Sequence, residues 1–347
     1  MLSDRKHARA RRLLALGLPP ALGAVFLAVV LTACGGSSGS SSAAQTIRRV
    51  GLMHVGTDHI PPSRDSLEAR LRELGWIPGK NIKFIWRNLG PGAAPAQARK
   101  FVRDRVDVIV AFEDQSIAAA EIATAGANDH IPVVFLHPSD PVRDGLVKSL
   151  SHPGGNLTGV FGARDVVAKQ LELYQLLVPR LRRVLTLVDP ADPASERLLL
   201  QYRAAAAHLS RPLVLDIRKA SNARDLTRVF GALRPGEVDG AFLLSPSLRL
   251  NFSALTIKLA ARAGLPVQAH RKEWVEQGAL FSYGTDLGPV GREGARYVDS
   301  VLKGTLPADL PVEEVPTVEF AINLKTAARL GIKVPQDMII RADEVYR

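Results

Sequence analysis

The chain has 347 residues, 46% of them hydrophobic and 23% charged, enough for about two ordinary domains with a large core, which excludes a wholly disordered protein. Only 5% of residues are aromatic, which argues against an aromatic nucleic-acid platform, and a single cysteine excludes an internal disulfide framework or a multi-thiolate metal site. The 45 Lys+Arg exceed the 34 Asp+Glu by 11, a charge that would suit nucleic acid, a membrane surface or an anionic ligand until it is located along the chain.

Much of it sits at the start. Arg5, Lys6, Arg9, Arg11 and Arg12 precede an uncharged run from Leu13 to Ala33, and Cys34 follows. A basic start, an apolar run and a small-residue cleavage region form a secretory signal, with an uncleaved anchor as the rival reading. Leu31-Thr32-Ala33-Cys34 resembles the bacterial lipoprotein cleavage box, in which the cut falls before a cysteine that carries lipid. Residues 35–42 are all Gly and Ser, the composition of a flexible tether. The pair Arg11-Arg12 leaves twin-arginine export open beside the general route. Setting aside residues 1–33 leaves 40 Lys+Arg against 33 Asp+Glu, mostly scattered, so no nucleic-acid partner is expected.

From residue 48 the pattern alternates. A buried strand is expected over 49–55, an amphipathic helix over 63–74, a strand over 82–86 and a helix over 94–105. Residues 106–112 are almost pure Val and Ile, as in a sheet covered on both faces. A helix over 116–125 and a strand over 132–136 complete the first round. The turn-rich segment Ser151-His152-Pro153-Gly154-Gly155-Asn156 interrupts it. The second round has helices over 166–177, 194–209, 223–233 and 252–263, and strands over 184–188, 213–217, 240–244 and 266–268. A strand over 280–283, a helix over 291–302, a strand over 319–323 and a helix over 324–330 close the chain. The fold class is α/β: two doubly wound parallel-sheet lobes with a break near residue 157 and a cleft between them.

Ligands of open parallel sheets bind beyond the carboxyl ends of the strands. Those ends carry Gly56-Thr57-Asp58-His59, Glu113-Asp114-Gln115-Ser116, His137-Pro138-Ser139-Asp140, Asp189-Pro190, Ser245-Pro246-Ser247 and Tyr283-Gly284-Thr285-Asp286. No nucleophile elbow, zincin, P-loop, calcium loop or G-x-G-x-x-G motif is present, so no catalytic residue and no cofactor is assigned. His54 and His137, with His59, Glu113, Asp114 and Asp140, could be gathered into a metal site. No short ligand spacing supports one, and we assign no metal. Asp114 reads first as a helix cap and second as a ligand contact; Asp140 precedes Pro141 and reads as turn chemistry or a ligand contact.

Several separated segments carry a family likeness: Gly145-Leu146, Ser149-Leu150, Pro153-Gly154-Gly155-Asn156 with Thr158-Gly159, Pro316-Thr317, Ile322-Asn323-Leu324-Lys325-Thr326-Ala327 and Arg341-Ala342-Asp343-Glu344-Val345. The chain resembles the ABC-transporter substrate-binding lipoproteins that include tryptophan- and tyrosine-binding members. That resemblance implies the type I periplasmic-binding-protein fold with three hinge crossings. It implies a first lobe of residues 48–157 plus about 279–306, and a second of 158–278 plus about 307–347. It also implies an exported, lipid-anchored protein that captures a small amino-acid-like or other polar solute by lobe closure. Delivery would be to a permease and ATPase on other chains, with a ligand sensor for a signalling partner, or an exported α/β enzyme, as alternatives. The expected ligand contacts are Thr57, Ser116, Ser139 and Asp140 on one side and Ser245, Tyr283 and Asp286 on the other, with Cys34 lipidated. Glu113-Asp114 stands where the family usually has a Gly-Thr or Gly-Ser pair, and His54 where it usually has Ser. Two acids at a helix start oppose an anionic ligand group, so a cationic or hydroxyl-rich end fits better there.

Overall fold

The computed structural model describes residues 46–56, 62–126, 131–164 and 166–347. The signal run, Cys34, the glycine–serine run, Thr57 and His59 lie outside the described residues. The first round comprises β1 (Arg48–Val55), α1 (Pro62–Glu73), β2 (Ile82–Leu89), α2 (Ala94–Arg103), β3 (Val108–Phe112), α3 (Glu113–Thr124), β4 (Val133–Leu136) and β5 (Leu157–Gly162). The second comprises α4 (Val166–Leu177), β6 (Arg183–Val188), α5 (Ser195–His208), β7 (Val214–Lys219), α6 (Ala223–Gly231), β8 (Gly240–Leu243), α7 (Pro246–Arg262), β9 (Gln268–Ala269), α8 (Lys272–Glu276) and β10 (Phe281–Thr285). The tail adds α9 (Leu287–Leu302), β11 (Glu313–Val315), β12 (Val318–Asn323), α10 (Leu324–Arg329), α11 (Gln336–Arg341) and β13 (Glu344–Tyr346).

The first sheet runs β11-β5-β4-β3-β1-β2, with every pairing parallel. Its inner strands β5, β4, β3 and β1 are buried on both faces, and successive side chains go to opposite sides. Val50, Leu52, Val108, Val110 and Leu136 meet Leu67 and Leu71 of α1 and Val290 and Val298 of α9. Met53, Ile109, Ala111, Val133 and Phe135 meet Ala98 and Phe101 of α2 and Ile117 of α3. The apolar run that shows no helix period therefore serves two cores at once.

The second lobe repeats this logic around β7-β6-β8 and β13-β12-β10-β9. Val184, Phe242, Phe281 and Ile322 bury Leu171 and Tyr174 of α4 and Tyr202 of α5. Leu185, Leu187, Ala241 and Ala321 bury Leu226 of α6, Ile257 of α7 and Trp274 of α8. The Tyr174 hydroxyl accepts from the Ala241 N–H at 3.0 Å and donates to the Pro266 carbonyl at 2.6 Å. It ties β8 to the lead-in of β9, where a parallel bridge joins Ala241 to Val267. One pairing departs from the all-parallel expectation: β10 and β12 are antiparallel.

The sheet pairings move the expected boundaries. β5 pairs with β4, so the chain leaves the first sheet after Gly162 rather than at residue 157. β10 pairs with β9 and β12, which puts the return after Thr285 rather than near 279. β11 still pairs with β5, so the last departure follows Val315 rather than residue 306. The three connections run side by side. The Ala163 N–H donates to Thr285 Oγ1 at 3.1 Å, the Asp286 N–H to the Thr317 carbonyl at 3.0 Å, and Arg164 pairs with Glu314 at 2.7 Å.

Candidate ligand-binding cleft

The strand ends of the two lobes face each other. β3 ends extended at Phe112, and Glu113 opens α3 with φ +64°. His137 follows β4 with φ +61°. Left-handed backbone costs a residue with a side chain on the order of 1–3 kcal/mol, so the surrounding structure must hold both turns. Each turn points its side chain at the other: His137 Nδ1 lies 3.3 Å from Glu113 Oε2.

From the second lobe, Arg271 enters between β9 and α8 and pairs through Nη2 with Glu113 Oε1. Both side chains are buried, at 6% and 13% exposure. The guanidinium also lies 5.6 Å from the Trp274 ring centre, a cation–π contact. Burial alone would raise the Glu113 carboxyl. Arg271 and His137 outweigh it and pull the value down to about 2, so Glu113 is ionised.

Among the described residues, His54 Nε2, Arg271 Nε and Ser116 Oγ are buried polar atoms without hydrogen-bond partners. His54 Nδ1 meets Asn88 Oδ1 at 3.3 Å. Burial lowers its basicity, and Arg271 lowers it further against the pull of Glu113, so the ring is held neutral. His270, edge-on to Trp274 at 4.0 Å, is driven well below the ordinary histidine value by burial and by Arg249 and Arg271. Behind it lies a cavity of about 10 Å³ lined by Tyr202, Arg249, Ser253, Gln268, His270 and Trp274, room for roughly one water.

The residues singled out from sequence divide among several places. Ser116 is fully buried in the first turn of α3, and Ser139 is bound to Asp114 of the same turn. The Ser139 N–H and hydroxyl donate to the two Asp114 oxygens at 2.7 and 2.5 Å. Asp114 is therefore not a helix cap, since Phe112 is the cap residue; it fastens the loop after β4 to α3. Asp140 serves its own turn, accepting from the Arg143 N–H at 3.0 Å. Ser245 belongs to a hydroxyl cluster around Asp189. It accepts from the Asp189 N–H at 2.7 Å and shares a hydrogen bond with Ser195 at 2.5 Å. Ser221 and Ser247 donate to the Asp189 carboxylate at 2.6 and 2.8 Å. Tyr283 packs edge-on to Phe320 at 6.4 Å, and its carbonyl accepts from Gln170 at 2.7 Å. Asp286 caps α9 by accepting from the Gly288 N–H at 2.9 Å, on the second connection.

Arg271 and the rim pair Asp144–Arg197, at 3.1 Å between the loop after β4 and α5, were not among the expected contacts. The signal for Arg271 was present. Ala269-His270-Arg271 is the carboxyl end of β9, and the strand-end rule applies to it as to the others. Among the described residues no group of three His, Cys, Asp or Glu could hold a metal ion.

Asp114 has a consequence for stability. Burial raises its value to about 6 despite the Ser139 hydrogen bonds, above the 3.8 of an ordinary aspartate. The folded chain then holds that proton more tightly than the unfolded chain, and its stability falls as pH rises from about 4 to about 6. Asp114→Asn is expected to match the wild type in urea melts at pH 4. At pH 7 it should exceed it by about 3 kcal/mol. An equal difference at both pH values would contradict this.

A profile of the ABC transporter substrate binding protein family matches residues 52–346. The chain belongs to this family. The tyrosine-binding protein of Clostridioides difficile (strain R20291) is 27% identical over 332 residues, covering 91% of this chain and 93% of that one. A conserved domain protein of Vibrio cholerae has the same fold, with a TM-score of 0.76 at 26% identity, covering 86% of this chain and all of that one. The ABC domain of Streptococcus pneumonia in complex with L-Trp superposes with a TM-score of 0.73 at 23% identity, again over 86% and 100% of the two chains. The architecture is that of a two-lobed type I periplasmic binding protein. The family is one of solute-binding proteins, with amino-acid-binding members.

Proposed function

We propose that this chain captures a small polar solute between its lobes and delivers it to the permease of an ABC uptake transporter. It would do so outside the cytoplasm, lipid-anchored through Cys34 on its glycine–serine tether. The observation that carries the reading is the ionised Glu113–Arg271 pair spanning the lobes, together with buried His54 Nε2, Arg271 Nε and Ser116 Oγ, which are unpartnered among the described residues. Buried polar groups are normally satisfied, and orphans clustered in a cleft are what a polar ligand would complete. The side-by-side connections suit a hinge, and ligand contacts to both lobes would favour the closed arrangement. Family membership and the tyrosine-binding relative support a solute-binding role over catalysis, and an amino-acid-like solute is consistent with both.

Mass spectrometry of protein purified natively from envelope membranes is expected to show lipid on Cys34 and to release a bound small molecule. Adding that molecule back to stripped protein should reduce the radius of gyration in X-ray scattering. An unchanged radius at saturation would rule out capture by closure.

A further inference from the structure

We propose that the end of the second lobe away from the cleft is a docking surface for the anionic headgroups of a phospholipid membrane, which seat in a groove beside α7. This goes beyond solute capture and rests only on the reading that the chain works at a membrane.

Positive charge that is scattered along the sequence is gathered by the fold. β6, β7 and β8 are parallel, a parallel bridge carries their direction to β9, and β10 follows it. The carboxyl ends of these strands face the cleft, so their amino ends form the opposite end of the lobe. Arg180 and Arg182 stand there before β6, Arg211 before β7 and Arg262 before β9, all exposed. β12 runs the other way, so α10 after it brings Arg329 to the same end. The acids at this end are already engaged. Asp239 accepts from the Arg182 and Arg183 N–H groups at 2.9 Å, and Glu237 pairs with Arg218.

An open groove of about 610 Å³ lies here, formed by Ala254, Ile257, Lys258, Ala261 and Arg262 of α7 with Arg329 opposite, and no acid lines it. Positions 254, 257, 258, 261 and 262 recur at three- and four-residue spacing, so they share one face of the helix. That face combines apolar side chains with two cations, and α7 carries no acid in its 17 residues. Among the described residues the side chains of Lys258 and Arg262 have no partner, and Arg329 reaches Thr326 Oγ1 at 3.4 Å. Other surface arginines do find carboxylates, as Arg72 does with Glu68 and Arg292 with Glu73. Glu273 and Glu276 of the neighbouring α8 are within electrostatic reach of Tyr346 and do not line the groove.

The apolar floor selects the occupant. Cations beside an apolar stripe match an anionic headgroup whose glycerol and acyl carbons continue past it, whereas a free inorganic anion leaves the stripe uncovered. Each Lys or Arg near an anionic lipid surface adds an attraction that fades within a Debye length. The cleft, at the other ends of the same strands, stays open to solute.

The test uses the mature chain with Cys34→Ser, so that no acyl chain contributes, and vesicles of phosphatidylcholine alone or in equal parts with phosphatidylglycerol. Co-sedimentation is expected with the phosphatidylglycerol vesicles at low salt, and little with phosphatidylcholine alone or at high salt. Lys258→Gln, Arg262→Gln and Arg329→Gln together should weaken partitioning by about a hundredfold, roughly fivefold for each charge. Lys83→Gln, Arg99→Gln and Arg103→Gln remove as many exposed charges from the first lobe and should weaken it by no more than about threefold. Ala261→Glu puts an acid into the groove and should weaken it by about fivefold or more. Circular-dichroism melts check that each variant is folded. Equal losses in the two triple variants would mean that net charge alone attracts the vesicles, and would overturn the site. So would absence of binding to the phosphatidylglycerol vesicles, release by inorganic phosphate at constant ionic strength, or a poly-glutamate peptide binding the groove in place of lipid. Solute capture is read separately, by scattering with the released ligand, and stands or falls on its own.

Discussion

Arg271→Ala is expected to disfavour the closed form of the protein. Glu113 would lose its counter-charge inside the closed cleft, a loss worth about 3–5 kcal/mol for a buried pair. An opening hinge lets water solvate the bared carboxylate, so the loss should appear in the closing equilibrium and not in unfolding. That shifts the ratio of closed to open forms by roughly a hundredfold or more. Closure should then need more ligand, so that at a given ligand concentration the radius of gyration should rise. The melting temperature should change little, because each lobe keeps its own buried clusters and neither includes Arg271. His137 and the rim pair Asp144–Arg197 would still act, so the effect is not the sum of every cross-cleft contact. Adding Glu113→Gln to Arg271→Ala should recover much of the closed form. The penalty comes from an orphaned charge, and the glutamine carries none. A double variant as open as the single one would mean that Arg271 acts through Trp274 packing instead.

The cross-lobe pair also shows where sequence reading stops. Most elements of ordinary length were legible because each has a recognisable apolar pattern. Val108–Phe112 is an unbroken apolar run, and α1 spaces Leu67 and Leu71 one turn apart. α8, β11 and β13, of five, three and three residues, are too short to show a period, and they were missed. β5 was missed for another reason. It follows a turn-rich stretch and contains Gly159 and Gly162, so it reads as more loop. At the cleft, the strand-end rule found Glu113, His137 and Ser116. It could not say that Glu113 would meet a residue 158 positions away, because no local pattern encodes a contact between lobes. The serines and aspartates were overread for a physical reason. Short hydroxyl and carboxylate side chains beside helix starts find backbone and each other first, as Ser245 does with Asp189 and Asp286 with Gly288. The longer Glu113 and Arg271 project past that layer into the cleft.

Gly159→Ala is expected to damage the first lobe severely. Gly159 pairs with Phe135 across β4 and β5 and takes φ +155°. A Cβ built there lies 2.0 Å from the Phe135 carbonyl oxygen and 2.8 Å from the Phe135 nitrogen. Both are backbone atoms in the middle of a parallel sheet, so neither can swing aside as a side-chain tip could. The strands must separate, and the ladder that ends at Gly162 and the first connection must open with them. A cost above about 4 kcal/mol is expected, in the range reserved for broken cores and backbone clashes. Gly155→Ala is the matched control. It lies four residues earlier in the same glycine-rich stretch, with nothing within 4 Å of its added Cβ, and should change stability by no more than about 0.5 kcal/mol. Urea denaturation of both variants separates the readings. Equal, small effects would mean that β4 and β5 do not approach this closely. A large effect at Gly159 alone would make the Thr158-Gly159 pair a requirement of the sheet that supports the hinge, rather than a contact for the ligand.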